Sequence, residues 1–125
     1  PEPLDLVVID ASFISLKMLL TPITGWFSKE GGDLIALIKP QFEAKRELAN
    51  DGVIRDAETH RHVLEGVISW AIESGWHYNG LCRSPITGPK GNTEFLVWLR
   101  WRRPGSGDWQ KDIDAMIAGT GGSRV

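Results

Sequence analysis

The sequence of 125 residues has little cysteine, little net charge and no long apolar segment. Cys82 is the single cysteine, so no disulfide can form within the chain, which suits a reducing cytoplasm. The formal net charge of -2 excludes a general attraction to nucleic acid, so any basic binding surface must be local. No apolar run has the length of a membrane span, and no signal-peptide pattern is present. We therefore expect a cytoplasmic protein that does not act in a membrane.

The remaining composition is that of a globular domain, with 42% hydrophobic and 24% charged residues. A chain of this length predicts one domain with a single hydrophobic core, which we expect over residues 1–103. Residues 104–125 begin with a Gly/Pro-rich linker, continue as a short amphipathic helix and end as a flexible tail. The apolar face of that helix either packs on the domain or contacts a partner; it consists of Trp109, Ile113, Met116 and Ile117.

Hydrophobic patterning predicts four strands. They are residues 4–10 ("LDLVVID"), 31–39 ("GGDLIALIK"), 76–83 ("WHYNGLCR") and 93–101 ("TEFLVWLRW"). The first two are short, continuous apolar runs, which are typical of strands buried on both faces of a parallel sheet. The last two are joined by the turn-forming segment "SPITGPKGN" without a crossover helix. We therefore expect that pair to be antiparallel.

Two helices are predicted between these strands. The segment "SLKMLLTPITGWF" has helical spacing, with Ser15 as a candidate N-cap and Pro22 as a kink or restart. The second helix begins after Asp56, which can cap it, and ends at Gly75. The resulting order of strand, helix, strand, helix, strand, strand predicts an α/β domain.

Ionisable residues stand at the ends of three of these strands. Asp10 ends the first strand and Lys39 ends the second, so the two face one crevice if their strands are neighbours in a parallel sheet. Glu94 begins the antiparallel last strand and therefore lies at the same edge. A lysine held by two carboxylates can orient a hydroxyl group and, once deprotonated, accept its proton. The alternative is a structural ion pair at a strand end.

Basic residues cluster at two further places. Lys45 and Arg46 follow the second strand, while Arg100 and Arg102 flank Trp101 in the last one. Each cluster is either a solvated surface or an RNA contact, and the alternation of basic and aromatic residues around Trp101 is the pattern an RNA-binding edge uses. Lys45, Arg46, Arg100 and Arg102 are thus the candidate RNA-binding residues.

Metal and nucleotide motifs are not indicated. His60 and His62 are two residues apart in a predicted helix and do not share a face, which argues against a metal site. The tail motif "GTGGS" is not followed by a strand–helix unit, so it is not a nucleotide-binding loop.

Four segments together resemble one known family. They are "DLVVIDASFISL", "LIKPQFEAKR", "DGVIRDAETH" and "SPITGPKGNTEFLVWLR", which occur in the family's order between Leu4 and Arg100. The sequence resembles the TlyA (hemolysin A) family, FtsJ-like S-adenosylmethionine-dependent RNA methyltransferases that modify ribose 2′-hydroxyls of ribosomal RNA. The resemblance implies an α/β fold that is the second half of a Rossmann-like methyltransferase sheet, mostly parallel with a C-terminal antiparallel hairpin.

The resemblance also implies roles for the three ionisable residues. The family's catalytic set is a Lys-Asp-Lys-Glu tetrad, and its Asp, second Lys and Glu match Asp10, Lys39 and Glu94. Lys39 would then orient or deprotonate the ribose hydroxyl, with Asp10 and Glu94 setting its position and charge. Asp10 would also lie against the cofactor. The implied cofactor is S-adenosylmethionine without a metal, and the implied partner is ribosomal RNA or a ribosomal subunit.

The sequence also departs from the family. The first tetrad lysine, the glycine-rich donor-binding loop and the S4 RNA-binding domain precede "DLVVID" in the family and do not occur in these 125 residues. We therefore expect the chain by itself to be inactive and to bind S-adenosylmethionine weakly or not at all. We also expect the first strand to have an exposed apolar edge, through which a homodimer could form.

Two other classes of function remain open. One is a non-catalytic interaction protein or a hemolysin-type membrane-lytic protein, against which the near-neutral charge and the lack of a spanning segment argue. The other is a degenerate methyltransferase half that only docks RNA or dimerises. The presence of Asp10, Lys39 and Glu94 together favours a catalytic part instead.

Overall fold

The computed structural model describes residues 3–10, 16–43, 56–87 and 91–118. The strands are β1 (Leu6–Asp10), β2 (Gly32–Ile38), β3 (Trp76–Arg83) and β4 (Phe95–Trp101). The helices are α1 (Lys17–Ile23), α2 (Pro40–Glu43), α3 (Ala57–Glu73) and α4 (Trp109–Ile117). Outside the described residues lie the predicted N-cap Ser15, the basic pair Lys45 and Arg46, and the tail after residue 118.

The strands form one sheet in the order β1-β2-β4-β3. β1 and β2 are parallel, whereas β4 is antiparallel to both β2 and β3. Three strands therefore run in one direction and β4 runs in the other, which confirms a mostly parallel sheet with an antiparallel C-terminal hairpin. The hairpin partner β4 lies inside the sheet, between β2 and β3. That position suits β4, because the segment "FLVWLRW" carries large apolar side chains on both faces.

One face of the central strands forms the middle of the core. Facing side chains of β2 and β4 there are 0% exposed: Leu34, Ala36 and Ile38 opposite Leu99, Val97 and Phe95. Helix α3 contributes its apolar stripe to the same cluster, with Leu64 and Ile68 also 0% exposed. The other face of these strands is only half-buried, as at Ile35 and Trp98.

Helix α3 has the predicted ends. The Asp56 side chain accepts a hydrogen bond from the backbone N–H of Glu58, which satisfies a donor in the first turn. Gly75 follows the helix with a φ of 103°, a conformation that glycine adopts without a steric penalty. Helix α1 runs through Pro22, so the predicted restart of the helix after Thr21 does not occur. The α-helix ends at Ile23 and is followed by a 3₁₀ turn over Thr24–Trp26.

Helix α4 packs on the domain, which resolves the two alternatives for its apolar face. Ile113 and Met116 are each 1% exposed within the common core. The Tyr78 hydroxyl donates to Asp112 Oδ2 at 2.6 Å, and Arg83 Nη2 donates to the Met116 carbonyl at 2.9 Å. Both bonds join the helix to β3, so the helix is anchored by polar contacts as well as by apolar burial.

Strand β1 is an edge strand of the described sheet, and one of its faces carries exposed apolar side chains. Leu6 is 56% exposed and Val8 is 71% exposed, while Val7 between them is buried. The expected exposed apolar edge is therefore present. The association of two copies of the chain through this edge remains a prediction.

Candidate active site

The parallel pairing of β1 and β2 brings Asp10 and Lys39 together. Asp10 ends β1 opposite Leu37, and Lys39 is the residue that follows β2. Lys39 Nζ lies 2.7 Å from Asp10 Oδ1, the distance of a charge-assisted hydrogen bond. Their strands end at the same edge of the sheet, which is where open α/β sheets bind ligands.

The two partners of this ion pair differ in burial. The Lys39 side chain is 9% exposed, whereas the Asp10 side chain is 61% exposed. The Lys39 side chain is thus almost fully packed, and the carboxylate that pairs with it still faces solvent. A ligand at this edge can therefore contact Asp10 directly and meets a lysine whose position is restrained.

Glu94 joins these residues from β4. The β2–β4 register ends with Ile38 opposite Phe95, so the next position in that register sets Glu94 across from Lys39. Glu94 is 4% exposed, and its backbone carbonyl accepts a hydrogen bond from Ser84 N at 2.8 Å. The structure thus brings Asp10, Lys39 and Glu94 to one edge of the sheet, from positions far apart in the sequence.

Two residues that the sequence-based prediction did not include complete this edge. Gln41 Nε2 donates a hydrogen bond to Glu94 Oε2 at 2.7 Å. Glu43 Oε1 accepts one from the backbone N–H of Leu16 at 2.6 Å. Both lie in α2, within the motif "KPQFE" that carries the family resemblance. Gln41 and Glu43 follow Lys39 by two and four residues, and that spacing by itself does not predict their contacts with Glu94 and Leu16.

The candidate RNA-binding arginines lie elsewhere. Arg100 and Arg102 are at the opposite end of β4 from Glu94, a separation of roughly 20 Å at about 3.4 Å per strand residue. Arg100 Nε donates to Asp33 Oδ1 at 2.8 Å, so its guanidinium group is held by an acidic partner. Arg102 is exposed. The structure therefore does not bring these two arginines to the edge of the sheet where Lys39 lies.

The aromatic residue between these arginines packs against the domain. The ring centroids of Trp101 and Trp76 are 5.2 Å apart. Trp101 is half-buried in this contact, so packing accounts for much of its surface.

The cysteine and histidines show no sign of a second reactive centre. Burial raises the pKa of the Cys82 thiol, the opposite of what activates a nucleophile. His60 is buried with its ring edge-on to Phe95, at a centroid distance of 5.6 Å. Within the ranges that the structure describes, no group of His, Cys, Asp or Glu side chains could hold a metal ion.

The strand order and the ionisable residues define an α/β domain with a candidate ligand-binding edge, and comparison with known proteins specifies the family. The FtsJ-like methyltransferase family matches residues 1–101 of the chain. "Putative rRNA methyltransferase YqxC" of Bacillus subtilis is 45% identical over 110 residues, covering 87% of this chain and 38% of that protein. "16S/23S rRNA (cytidine-2'-O)-methyltransferase TlyA" of Mycobacterium tuberculosis is 42% identical over 97 residues, covering 77% of this chain and 36% of that protein. The chain belongs to the FtsJ-like methyltransferase family, and its similar relatives there include TlyA.

A solved structure supports the same assignment, although its title names a hemolysin and not a methyltransferase. "The crystal structure of a putative hemolysin from Lactococcus lactis" superposes with a TM-score of 0.85 and 38% identity, over 95% of this chain and 57% of that one. The chain spans 36% to 38% of the length of the two curated relatives. In the described part of the chain, no helix is long and apolar enough to cross a bilayer.

Proposed function

We propose that this chain forms the acceptor-handling side of the active site of an S-adenosylmethionine-dependent ribosomal RNA 2′-O-methyltransferase. The observation that carries the proposal is the Lys39 ammonium group, on a side chain that is 9% exposed, 2.7 Å from the Asp10 carboxylate. A restrained lysine at a ligand-binding edge suits a reaction in which one hydroxyl group must be oriented and lose its proton. The relative named for cytidine-2′-O methylation of 16S and 23S rRNA supports the substrate class.

The described residues fit one side of the methyl donor. When bound, S-adenosylmethionine would supply a methyl group from a positively charged sulfur. The bond between that methyl carbon and the sulfur breaks, and the sulfur becomes a neutral thioether. Asp10 is suited to face that donor, because its carboxylate is 61% exposed at the end of β1 and attracts cations and hydroxyl groups. The sequence of this chain contains no glycine-rich loop between a strand and a helix. Asp10 is therefore the one residue to which we assign a contact with the donor.

Lys39 handles the acceptor hydroxyl in this proposal. As an ammonium group, Nζ can donate a hydrogen bond to the hydroxyl oxygen and so set its direction. As a neutral amine, the same atom can accept the hydroxyl proton while the oxygen forms its new bond to carbon. Asp10 holds Nζ in place for either step. Glu94, buried across from Lys39, supplies a second fixed carboxylate beside the acceptor.

Lys39→Ala tests the proposal in a full-length methyltransferase that carries this sequence as its segment matching TlyA, hereafter the complete protein. The assay follows transfer of labelled methyl groups from S-adenosylmethionine to ribosomal RNA, and mass spectrometry of the nucleosides locates them on ribose or base. We expect Lys39→Ala to lower the rate by about 100- to 10,000-fold, the range of general acid–base catalysis.

Lys111→Ala is the matched control, because Lys111 is an exposed lysine on α4. That variant should retain the rate of the unmodified protein. A Lys39→Ala enzyme with the unmodified rate removes Lys39 from the mechanism. Methyl groups found on the bases rather than on ribose oxygens would contradict the proposed reaction.

A further inference from the structure

The segment after β2 connects three other parts of the chain through alternate residues. Lys39 pairs with Asp10 at the end of β1, Gln41 donates to Glu94 at the start of β4, and Glu43 accepts from Leu16 at the start of α1. Two of these residues belong to α2, which is a single helical turn. The fold thus concentrates three long-range polar contacts in five consecutive residues.

The hydrogen bond between Gln41 and Glu94 fixes the orientation of the Gln41 amide. A carboxylate only accepts hydrogen bonds, so the amide nitrogen must face Glu94 and the amide oxygen must point away. That oxygen, Oε1, is buried, and no donor in the part of the chain that the structure describes reaches it. The amide is therefore placed for its contact with Glu94, while one of its own polar atoms is left unsatisfied.

An unsatisfied buried oxygen lowers stability, so burial alone does not account for Gln41. A methionine has nearly the same length and volume and carries no oxygen that needs a donor. What Gln41 adds to the fold is one N–H donor, and its 2.7 Å bond restrains the nearly buried Glu94 carboxylate. The contact is therefore one that orients Glu94.

Glu43 makes the corresponding contact on the other side of Lys39. Its Oε1 lies 2.6 Å from the backbone nitrogen of Leu16, a residue that is 0% exposed and directly precedes α1. One short segment thus contacts both Asp10, through Lys39, and Leu16, through Glu43.

We propose that Gln41 and Glu43 are positioning residues of the methyltransferase site. Gln41 orients Glu94, and Glu43 fixes Leu16 at the start of α1, so that Glu94 and α1 keep a constant position relative to Lys39. The inference rests on the proposed function, because the positions it protects are those of the proposed reaction. Displacing a reacting group by about 1 Å can lower a rate by roughly 100-fold, so the effect belongs in kcat rather than in substrate affinity.

Gln41→Met in the complete protein tests the first contact. We expect kcat for methyl transfer to fall by about 10- to 100-fold. KM for S-adenosylmethionine and for ribosomal RNA should stay within about threefold, because no substrate contact has been removed. The urea midpoint of unfolding should fall, because the nearly buried Glu94 carboxylate loses its donor, so kcat is compared per folded molecule. Gln110→Met, at an exposed glutamine on α4, is the control and should leave all these values unchanged.

Glu43→Leu and Glu43→Gln test the second contact as a pair. Glutamine keeps an oxygen that can accept the Leu16 N–H, whereas leucine keeps the bulk and loses the acceptor. We expect Glu43→Gln to retain kcat within about threefold and Glu43→Leu to lose about tenfold or more. Equal activity of the two variants would contradict the role of Glu43 as an acceptor.

Three outcomes separate this inference from the proposed function. An unmodified protein that does not methylate RNA overturns both. An active protein in which Gln41→Met and Glu43→Leu keep the normal kcat overturns the positioning role alone. An unfolding midpoint that falls while kcat per folded molecule is unchanged assigns both residues to stability and also overturns it.

Discussion

Lys39 Nζ lies 2.7 Å from Asp10 Oδ1, yet the lysine side chain is 9% exposed and the aspartate side chain is 61% exposed. The ion pair thus spans the boundary between the core and the solvent at the edge of the sheet. Solvent screens an exposed carboxylate, so the pair contributes little to stability. The ion pair instead fixes the position of the Lys39 ammonium group, which it holds beside a surface where a ligand can bind.

Asp10→Asn should separate these two effects. We expect the free energy of unfolding to change by about 1 kcal/mol or less, because the carboxylate is mostly exposed. Methyl transfer by the complete protein should fall by about 10- to 100-fold, since Lys39 loses its charged partner. Urea unfolding and the methyl-transfer assay measure the two quantities. Asp5→Asn, at an exposed aspartate that precedes β1, is the control; a large loss of stability without a loss of activity would contradict the prediction.

Arg100 and Arg102 should respond differently to substitution. Arg100→Gln breaks the 2.8 Å bond to Asp33, which also accepts from Trp98 Nε1, and should cost about 1 to 2 kcal/mol of stability. Arg102→Gln removes an exposed charge and, as a proposed RNA contact, should weaken RNA binding. The slope of log affinity against log salt should then decrease by about 0.7 to 0.9. Filter binding of RNA at several salt concentrations measures this slope. An unchanged slope for Arg102→Gln excludes a contact between Arg102 and RNA.

The apolar side of β1 should drive self-association of the chain by itself. Val8 is 71% exposed on an edge strand, and unpaired edges with apolar side chains pair with other chains. We expect sedimentation equilibrium to show dimers whose population falls in Val8→Lys, because a charge at the edge opposes pairing. Ile86→Lys, at a residue that is 76% exposed outside the strands, is the matched control. A monomer at all concentrations rules out association through this edge.

The chain by itself should bind S-adenosylmethionine weakly or not at all. Asp10 is the one residue to which we assign a donor contact, and one exposed carboxylate does not make a binding site. Isothermal titration calorimetry with the 125-residue chain should give no heat at micromolar donor. The complete protein, titrated in parallel, should bind. Micromolar affinity of the chain alone would show that it contains a donor site of its own.

Much of the fold was predictable because it depends on local patterns. The segment 76–83 was predicted as a strand and is β3. Asp56 and Gly75 end α3 because capping and a positive φ are local requirements, readable from neighbouring residues. The convergence of Asp10, Lys39 and Glu94 was also predictable, since it follows from strand direction once the sheet is known to be mostly parallel.

The contacts of Gln41, Glu43 and Arg100 were not predictable in this way. Gln41 and Glu94 are 53 residues apart, and Arg100 and Asp33 are 67 apart. The contacts of Gln41 and Arg100 require β4 to pair with β2 in one particular register, and the contact of Glu43 requires α2 to pack beside the start of α1. Composition and periodicity specify which face of a strand is apolar, but they do not specify which strand is its neighbour.

The amino-acid sequence by itself determined the strands, the capped helix α3, the α/β class and the family, because hydrophobic periodicity, capping and motifs are properties of neighbouring residues. The tertiary structure alone decided that Lys39 is buried while Asp10 is exposed, that Gln41 restrains Glu94, and that Arg100 pairs with Asp33. Those relationships arise only when distant segments pack, since burial and hydrogen-bond geometry depend on the complete set of neighbours in space.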